Sequence, residues 1–103
     1  MLNQVVLVGR VTGEVIRSED SRKASITLAV PRSYKNTDGV YETDFISCVL
    51  WNAIATNALE YLKNGDLVGV KGRLQNDGPN TDVIAEKLTF LSSAKPNNER
   101  DDD

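Results

Sequence analysis

The sequence contains no histidine and a single cysteine, Cys48. One cysteine excludes an intramolecular disulfide framework, and the lack of His and Cys clusters excludes a zinc site. Without histidine the commonest general base is missing, along with every Ser-His and Cys-His pair. The composition therefore argues against an enzyme and gives no sign of a metal or cofactor. Long apolar runs are also absent, and nothing approaches the ~20 residues that a membrane span requires. The opening Met1-Leu2-Asn3-Gln4 carries no basic residue, so a secretory signal is not expected and the cytoplasm is the expected compartment.

Positive charge is not in excess either. The chain holds 12 Lys and Arg against 15 Asp and Glu. Residues 1–94 carry 10 basic and 11 acidic residues, whereas the last nine carry Lys95 and Arg100 against Glu99, Asp101, Asp102 and Asp103. The body is near neutral and the end is acidic. A nucleic-acid binder usually shows a basic footprint. If this chain binds nucleic acid, stacking and local arrangement must supply what net charge does not.

What is present fits one small domain. A chain of 103 residues, 40% of them apolar, can bury a core but has little to spare. Gln4-Val5-Val6-Leu7-Val8-Gly9-Arg10-Val11 is a β-branched run that reads as a strand with a bend at Gly9. Ala24, Ile26, Leu28 and Val30 alternate with Ser25, Thr27 and Ala29, the period of a half-buried strand that Pro31 should end or place at an edge. After the turn cluster Asn36-Thr37-Asp38-Gly39, a third strand covers residues 40–50. The period then changes: Ile54, Ala58, Leu59 and Leu62 fall at helical spacing, and Asn64-Gly65 stops the helix. Residues 67–74 and 81–91 read as two more strands around the turn Asn76-Asp77-Gly78-Pro79. From Ser92 onward polar and charged residues dominate, and a disordered acidic tail over 92–103 is expected behind a domain of 1–91.

The predicted class is all-β, five strands with one short helix between strands 3 and 4. Closure into a barrel would remove the exposed edges. The five-stranded OB-fold barrel places its helix there, and another small β-barrel is the competing choice.

Parity singles out candidate binding residues. Ile46, Cys48 and Leu50 share one face of the third strand, and Phe45 and Trp51 share the other with Thr43, Ser47 and Val49. Both faces cannot line one core, so Phe45 and Trp51 either face out, where unpaired bases can stack on them, or enter a subunit contact. Tyr34 stands between Arg32 and Lys35. Arg10, Arg32, Lys71 and Arg73 lie on strands or at their ends and could track phosphates or be ordinary surface charges. Tyr61 and Phe90 read as structural, Glu42 and Asp44 as a solvated pair, and Cys48 as a small buried hydrophobe.

Several segments together resemble the bacterial single-stranded DNA-binding protein (SSB) family. They are Leu2-Asn3-Gln4-Val5-Val6-Leu7-Val8-Gly9-Arg10, Ile26-Thr27-Leu28-Ala29-Val30 with Arg32-Ser33-Tyr34, Asp44-Phe45-Ile46-Ser47-Cys48-Val49-Leu50-Trp51, and the run from Tyr61 to Leu74. The resemblance implies an OB-fold, no catalysis, sequence-tolerant binding of single-stranded DNA in replication, recombination and repair, a nucleoid-associated location, and a homotetramer. It places Tyr34, Phe45 and Trp51 at stacking positions, with Arg10, Arg32, Lys71 and Arg73 near phosphates. Members usually carry a longer hairpin between the last two strands; the short one here implies a smaller footprint. Pro31 replaces a polar residue close to Tyr34. The family's tail ends in an acidic segment with an apolar tip that recruits replication and repair proteins. Here Asp101, Asp102 and Asp103 are the partner-binding candidates, and they lack that tip. Two rival readings stay open: an interaction module in replication restart with weak nucleic-acid binding, and an RNA-binding variant.

Overall fold

A computed structural model describes residues 1–18 and 22–93. The elements run β1 (Val5–Arg17), β2 (Lys23–Lys35), β3 (Tyr41–Trp51), α1 (Asn52–Tyr61), β4 (Leu67–Asp77) and β5 (Asn80–Ser92). The strands close into a barrel in the order β1-β2-β3-β5-β4. Every pairing is antiparallel except the short parallel contact of β3 with β5. The expected all-β class, the five strands and the single helix between β3 and β4 are all present.

The period-two pattern builds the interior. Ala24, Ile26 and Leu28 of β2 point inward, as do Cys48 and Leu50 of β3, Val68 and Val70 of β4, and Val83 and Ala85 of β5. Helix α1 contributes Ala55 and Ala58 to the same core, with Ile54, Leu59 and Leu62 packed around them. Small alanines let the helix approach the barrel closely. Cys48 is fully buried, and burial, helped by the nearby Asp82 carboxylate, pushes its thiol pKa up to about 12. It packs as a hydrophobe, as its parity implied.

The strands differ from the sequence expectation in ways that have physical causes. β1 runs on past Val11 to Arg17, and its irregularity falls at Gly13 instead of Gly9. The β1–β2 register shifts between Thr12 and Ile16, where Gly13 has a φ of 77° that a side chain would resist. Of the two expectations for Pro31 the edge position holds: β2 runs on past it, and Pro31 sits opposite Thr43 of β3. Pro31 is tolerated because β1 last pairs with β2 at Ala29, so beyond that point one edge of β2 needs no donor. Residues 30–44 thus form a two-stranded arm closed by the expected turn, where the Asn36 side-chain oxygen accepts from the backbone N–H of Asp38 and of Val40. The last hairpin is tighter than expected, with Gly78 and Pro79 alone joining β4 to β5.

Helix α1 ends at Tyr61, before the Asn64-Gly65 stop. The turn after it is fixed to β1: Gly65 N–H donates to the Val11 carbonyl at 2.6 Å, and Val11 N–H donates to the Asp66 carbonyl at 2.9 Å. The buried Asp66 carboxylate accepts from Lys63 N–H at 2.9 Å. Tyr61 and Phe90 are exposed rather than structural; with Leu62 and Leu88 they line an apolar groove between α1 and β5. Ser92, expected to open the acidic tail, closes β5 instead, and residues 94–103, with Asp101, Asp102 and Asp103, lie outside the described residues. No described helix is long and apolar enough to cross a membrane.

Candidate nucleic-acid interface

The outward row of β3 carries the aromatic residues. Phe45, in mid-strand, is 67% exposed, and Trp51, the last residue of β3, is 40% exposed. They stand six positions apart on one face, which is about 20 Å at ~3.3 Å per residue. Between and beside them the surface is low. Phe45 pairs across the ladder with Ala29, Ser47 with Thr27, and Val49 with Ser25. Cross-strand partners share a face, so β2 and β3 together offer a shallow floor of small side chains between two rings. Sequence parity found the rings but not this floor, because the floor appears only once the register is known.

Trp51 is the more enclosed ring. Lys23, its register partner, places its ammonium over the ring, 5.6 Å from the centroid. The same ring lines a cleft of about 150 Å³ together with the end of the β4–β5 hairpin. Val49 and Ile84 close the cleft floor, and both are buried despite their outward parity.

The predicted cations occupy unlike settings. Arg10 belongs to the aromatic face, since its row runs Arg10, Ala29, Phe45. Its guanidinium donates to the Gly65 carbonyl at 2.9 Å. Arg32 lies on the arm and is the most engaged: it donates to Asp44 at 2.9 Å and to Glu42 at 2.8 Å. The hydrogen bond and charge of Asp44 raise the Arg32 pKa further, and that hydrogen bond in turn holds the Asp44 carboxyl below the usual carboxylate range. Glu42 and Asp44 lie on a solvated face, as expected, and there they clamp Arg32. Arg73 donates to Gln75 at 2.8 Å and lies 3.5 Å from Glu86. Lys71 makes no ion pair among the described residues and faces Lys87 directly across the β4–β5 ladder. Like charges placed opposite each other repel unless an anion lies between them. Lys23 and Lys87 were missed in the sequence because only the ladder register brings each to a site residue.

Tyr34 is 63% exposed on the arm, two positions along β2 from Arg32. The β2–β3 register shifts between Pro31 and Lys35, so Tyr34 sits in the irregular stretch and not in the row of Phe45 and Trp51. The structure brings Arg10, Phe45, Trp51 and Arg73 onto one connected outer face. Tyr34 and Arg32 stand apart on the arm, and Lys71 continues the face along β4.

A closed five-strand barrel with a helix between β3 and β4 and an exposed aromatic row on β3 defines the OB class of barrels. The Single-strand binding protein family matches residues 2–91, and the chain belongs to that family. It is 44% identical to single-stranded DNA-binding protein 3 of Listeria innocua over 90% of this chain and 66% of that protein. It is 41% identical to single-stranded DNA-binding protein B of Bacillus subtilis over 88% of this chain and 91% of that protein. Among solved structures, a Plasmodium falciparum SSB in complex with ssDNA shares the fold, with a TM-score of 0.72 at 24% identity over 89% of this chain and 96% of that one. So does a small single-stranded DNA-binding protein from Streptomyces coelicolor, with a TM-score of 0.68 at 24% identity over 88% of this chain and 95% of that one.

Proposed function

We infer that this chain binds single-stranded DNA without catalysis, holding bases on Phe45 and Trp51 above the small-residue floor between them. The observation that carries this reading is the pair of exposed rings on one face of β3, in a chain of the single-strand binding family. Stacking is sequence-tolerant, because every base has a π-face. A protein of this kind protects unpaired strands during replication, recombination and repair, and works where the DNA is, at the nucleoid.

The phosphates fall to the cations in unequal shares. Lys71 with Lys87, and Lys23 beside Trp51, keep their charge for a ligand. Arg73 adds a partly engaged guanidinium. Arg10 spends one of its five N–H donors on the Gly65 carbonyl and keeps the rest for a phosphate, whereas the carboxylates of Asp44 and Glu42 offset the charge of Arg32, which contributes less. Tyr34 extends the surface along the arm. The domain of residues 1–91 holds all of these groups, and the acidic segment with Asp101, Asp102 and Asp103 is left to compete for the cations or to meet protein partners.

The test is a titration of oligo-deoxythymidine into the protein, followed by Trp51 fluorescence at several salt concentrations. Trp51 is the only tryptophan, so the signal reports one site. Quenching that survives moderate salt is expected, with a log–log salt slope of about −0.7 for each neutralised phosphate. Binding without quenching would move Trp51 out of the interface. No binding would favour the interaction module, for which the apolar groove of Tyr61, Leu62, Leu88 and Phe90 is the natural surface.

We also propose self-association, with the family's homotetramer as the expected form. Val6 and Val8 are 68% and 53% exposed on the outer face of β1, beside Gly69 and Leu91. Residues 5–9 of β1 pair with β4 alone, leaving their other edge open. An open edge next to exposed valines is a surface that proteins usually cover. Sedimentation velocity on the full chain should give a multimer, and a monomer at micromolar concentration would refute the proposal.

A further inference from the structure

The cleft beside Trp51 has a chemistry that stacking does not need. Gln75 and Asp82, register partners in the β4–β5 ladder, line it together with the ring. The Gln75 side-chain oxygen is taken by the Arg73 guanidinium at 2.8 Å, which leaves its amide N–H groups as donors. Asp82 is half-buried and makes no hydrogen bond or ion pair among the described residues. Asp77 adds a second carboxylate at the rim.

A bare ring accepts any base, but a carboxylate beside it does not. A carboxylate only accepts hydrogen bonds, through two oxygens. Asp82 and Asp77 outnumber Lys23, the one cation lining the cleft, so a base rather than a phosphate enters it. The Watson–Crick edges of the bases then differ sharply. Thymine offers one N–H flanked by two carbonyl oxygens, which face the carboxylate with like partial charge. Adenine and cytosine offer one amino group beside an acceptor nitrogen. Guanine alone offers two adjacent donors, N1–H and N2–H, matched to the two carboxylate oxygens. Its remaining edge atom, O6, is an acceptor of the kind the Gln75 amide can serve.

We propose that the Trp51 subsite prefers guanine, with Asp82 accepting from N1–H and N2–H and Gln75 donating to O6 of the base stacked on Trp51. The proposal rests on the reading that a base stacks on Trp51. It gives an otherwise sequence-tolerant surface one selective position.

The experiment uses the full chain and oligo-deoxythymidines carrying one central deoxyguanosine, deoxyadenosine, deoxycytidine or deoxyinosine, each followed by Trp51 fluorescence. The oligomer slides freely, so its single odd base can find the cleft. The guanine oligomer should bind about tenfold more tightly than the all-thymine one, the scale of a bidentate base contact. Inosine, which lacks the 2-amino group, should lose most of that advantage. Asp82→Asn should weaken the guanine oligomer and tighten the all-thymine one, bringing the two within about twofold. A merely structural Asp82 would weaken both alike, which would overturn the assignment. Equal affinities for all oligomers in the unaltered protein, with Trp51 quenched each time, would overturn the guanine preference and leave stacking intact. No quenching by any oligomer would overturn both.

Discussion

Phe45→Ala and Trp51→Ala should each weaken binding to oligo-deoxythymidine by about 5- to 150-fold, the range set by ~1–3 kcal/mol per stacked base. The domain should stay folded in both cases. Phe45 is 67% exposed and Trp51 40%, and neither belongs to the core cluster. The two positions lie about 20 Å apart along β3, beyond the ~7–10 Å within which substitutions usually couple. Their free-energy losses should therefore add in the double variant. Lys71→Ala removes one charge from the path of the backbone. It should lower affinity only modestly at moderate salt and flatten the salt slope by about 0.7. Anisotropy of a labelled oligomer is the right measurement, since Trp51→Ala deletes the intrinsic signal. Equal losses from all three substitutions would contradict a surface on which stacking dominates. A loss from Trp51→Ala that came with dissociation of the multimer would assign the ring to a subunit contact instead.

The two rings could be found in the sequence because their signal is local. Phe45 and Trp51 have the opposite parity to Ile46, Cys48 and Leu50, and a strand has only two faces. The β2 pattern of Ala24, Ile26 and Leu28 was readable for the same reason, and each of these side chains is buried. What surrounds the rings is not local. Counting back from the pair Lys35 and Tyr41 at the arm would set Trp51 opposite Ser25. The register shift between Pro31 and Lys35 moves it to Lys23 instead. A bulge of this kind leaves parity unchanged and partners displaced, so the strand face was legible while the ammonium over Trp51 was not. The Arg32 clamp was hidden in the same way. Arg32, Glu42 and Asp44 were each visible as charges, but only the arm's pairing makes them one unit. Tyr61 and Phe90 misled for another reason. A tyrosine in a helix and a phenylalanine among leucines look like core, yet the core at that end is already filled by Ala55, Ala58 and Leu62.

Gly72→Ala should be the most damaging single substitution in the barrel, costing about 3–5 kcal/mol of stability, the range in which a point change signals a specific steric fault. Gly72 is buried, opposite Ala85, at the point where the β4–β5 register shifts. A Cβ there would overlap the Ile84 carbonyl oxygen, and would lie 2.9 Å from the Ile84 carbonyl carbon and 3.2 Å from the Ala85 Cα. All of these neighbours are backbone, so no side chain can swing aside. The backbone itself is held. Ile84 pairs with Arg73 on one side and with Val49 of β3 on the other, and Gly72 also pairs with Val5 of β1. In a closed barrel a shift of β5 away from β4 must disturb the contact with β3 as well. Gly69→Ala, three positions earlier on the same strand, is the control. A Cβ at Gly69 would meet only the Leu7 carbonyl at 3.8 Å and a Leu91 methyl at 3.9 Å, which is ordinary contact. Its effect on folding should be within about 1 kcal/mol, with a small gain from the reduced freedom of the unfolded chain. Thermal melts of the two variants under identical conditions should then separate by about 10 °C or more, since 1 kcal/mol moves a domain of this size by about 4–8 °C. The small-residue floor and both aromatic rings are untouched by either change, so Gly72→Ala should lose DNA binding only as far as it loses the folded state. A Gly72→Ala protein that melts with the unaltered chain would mean that β4 and β5 do not approach as closely as the closed barrel requires.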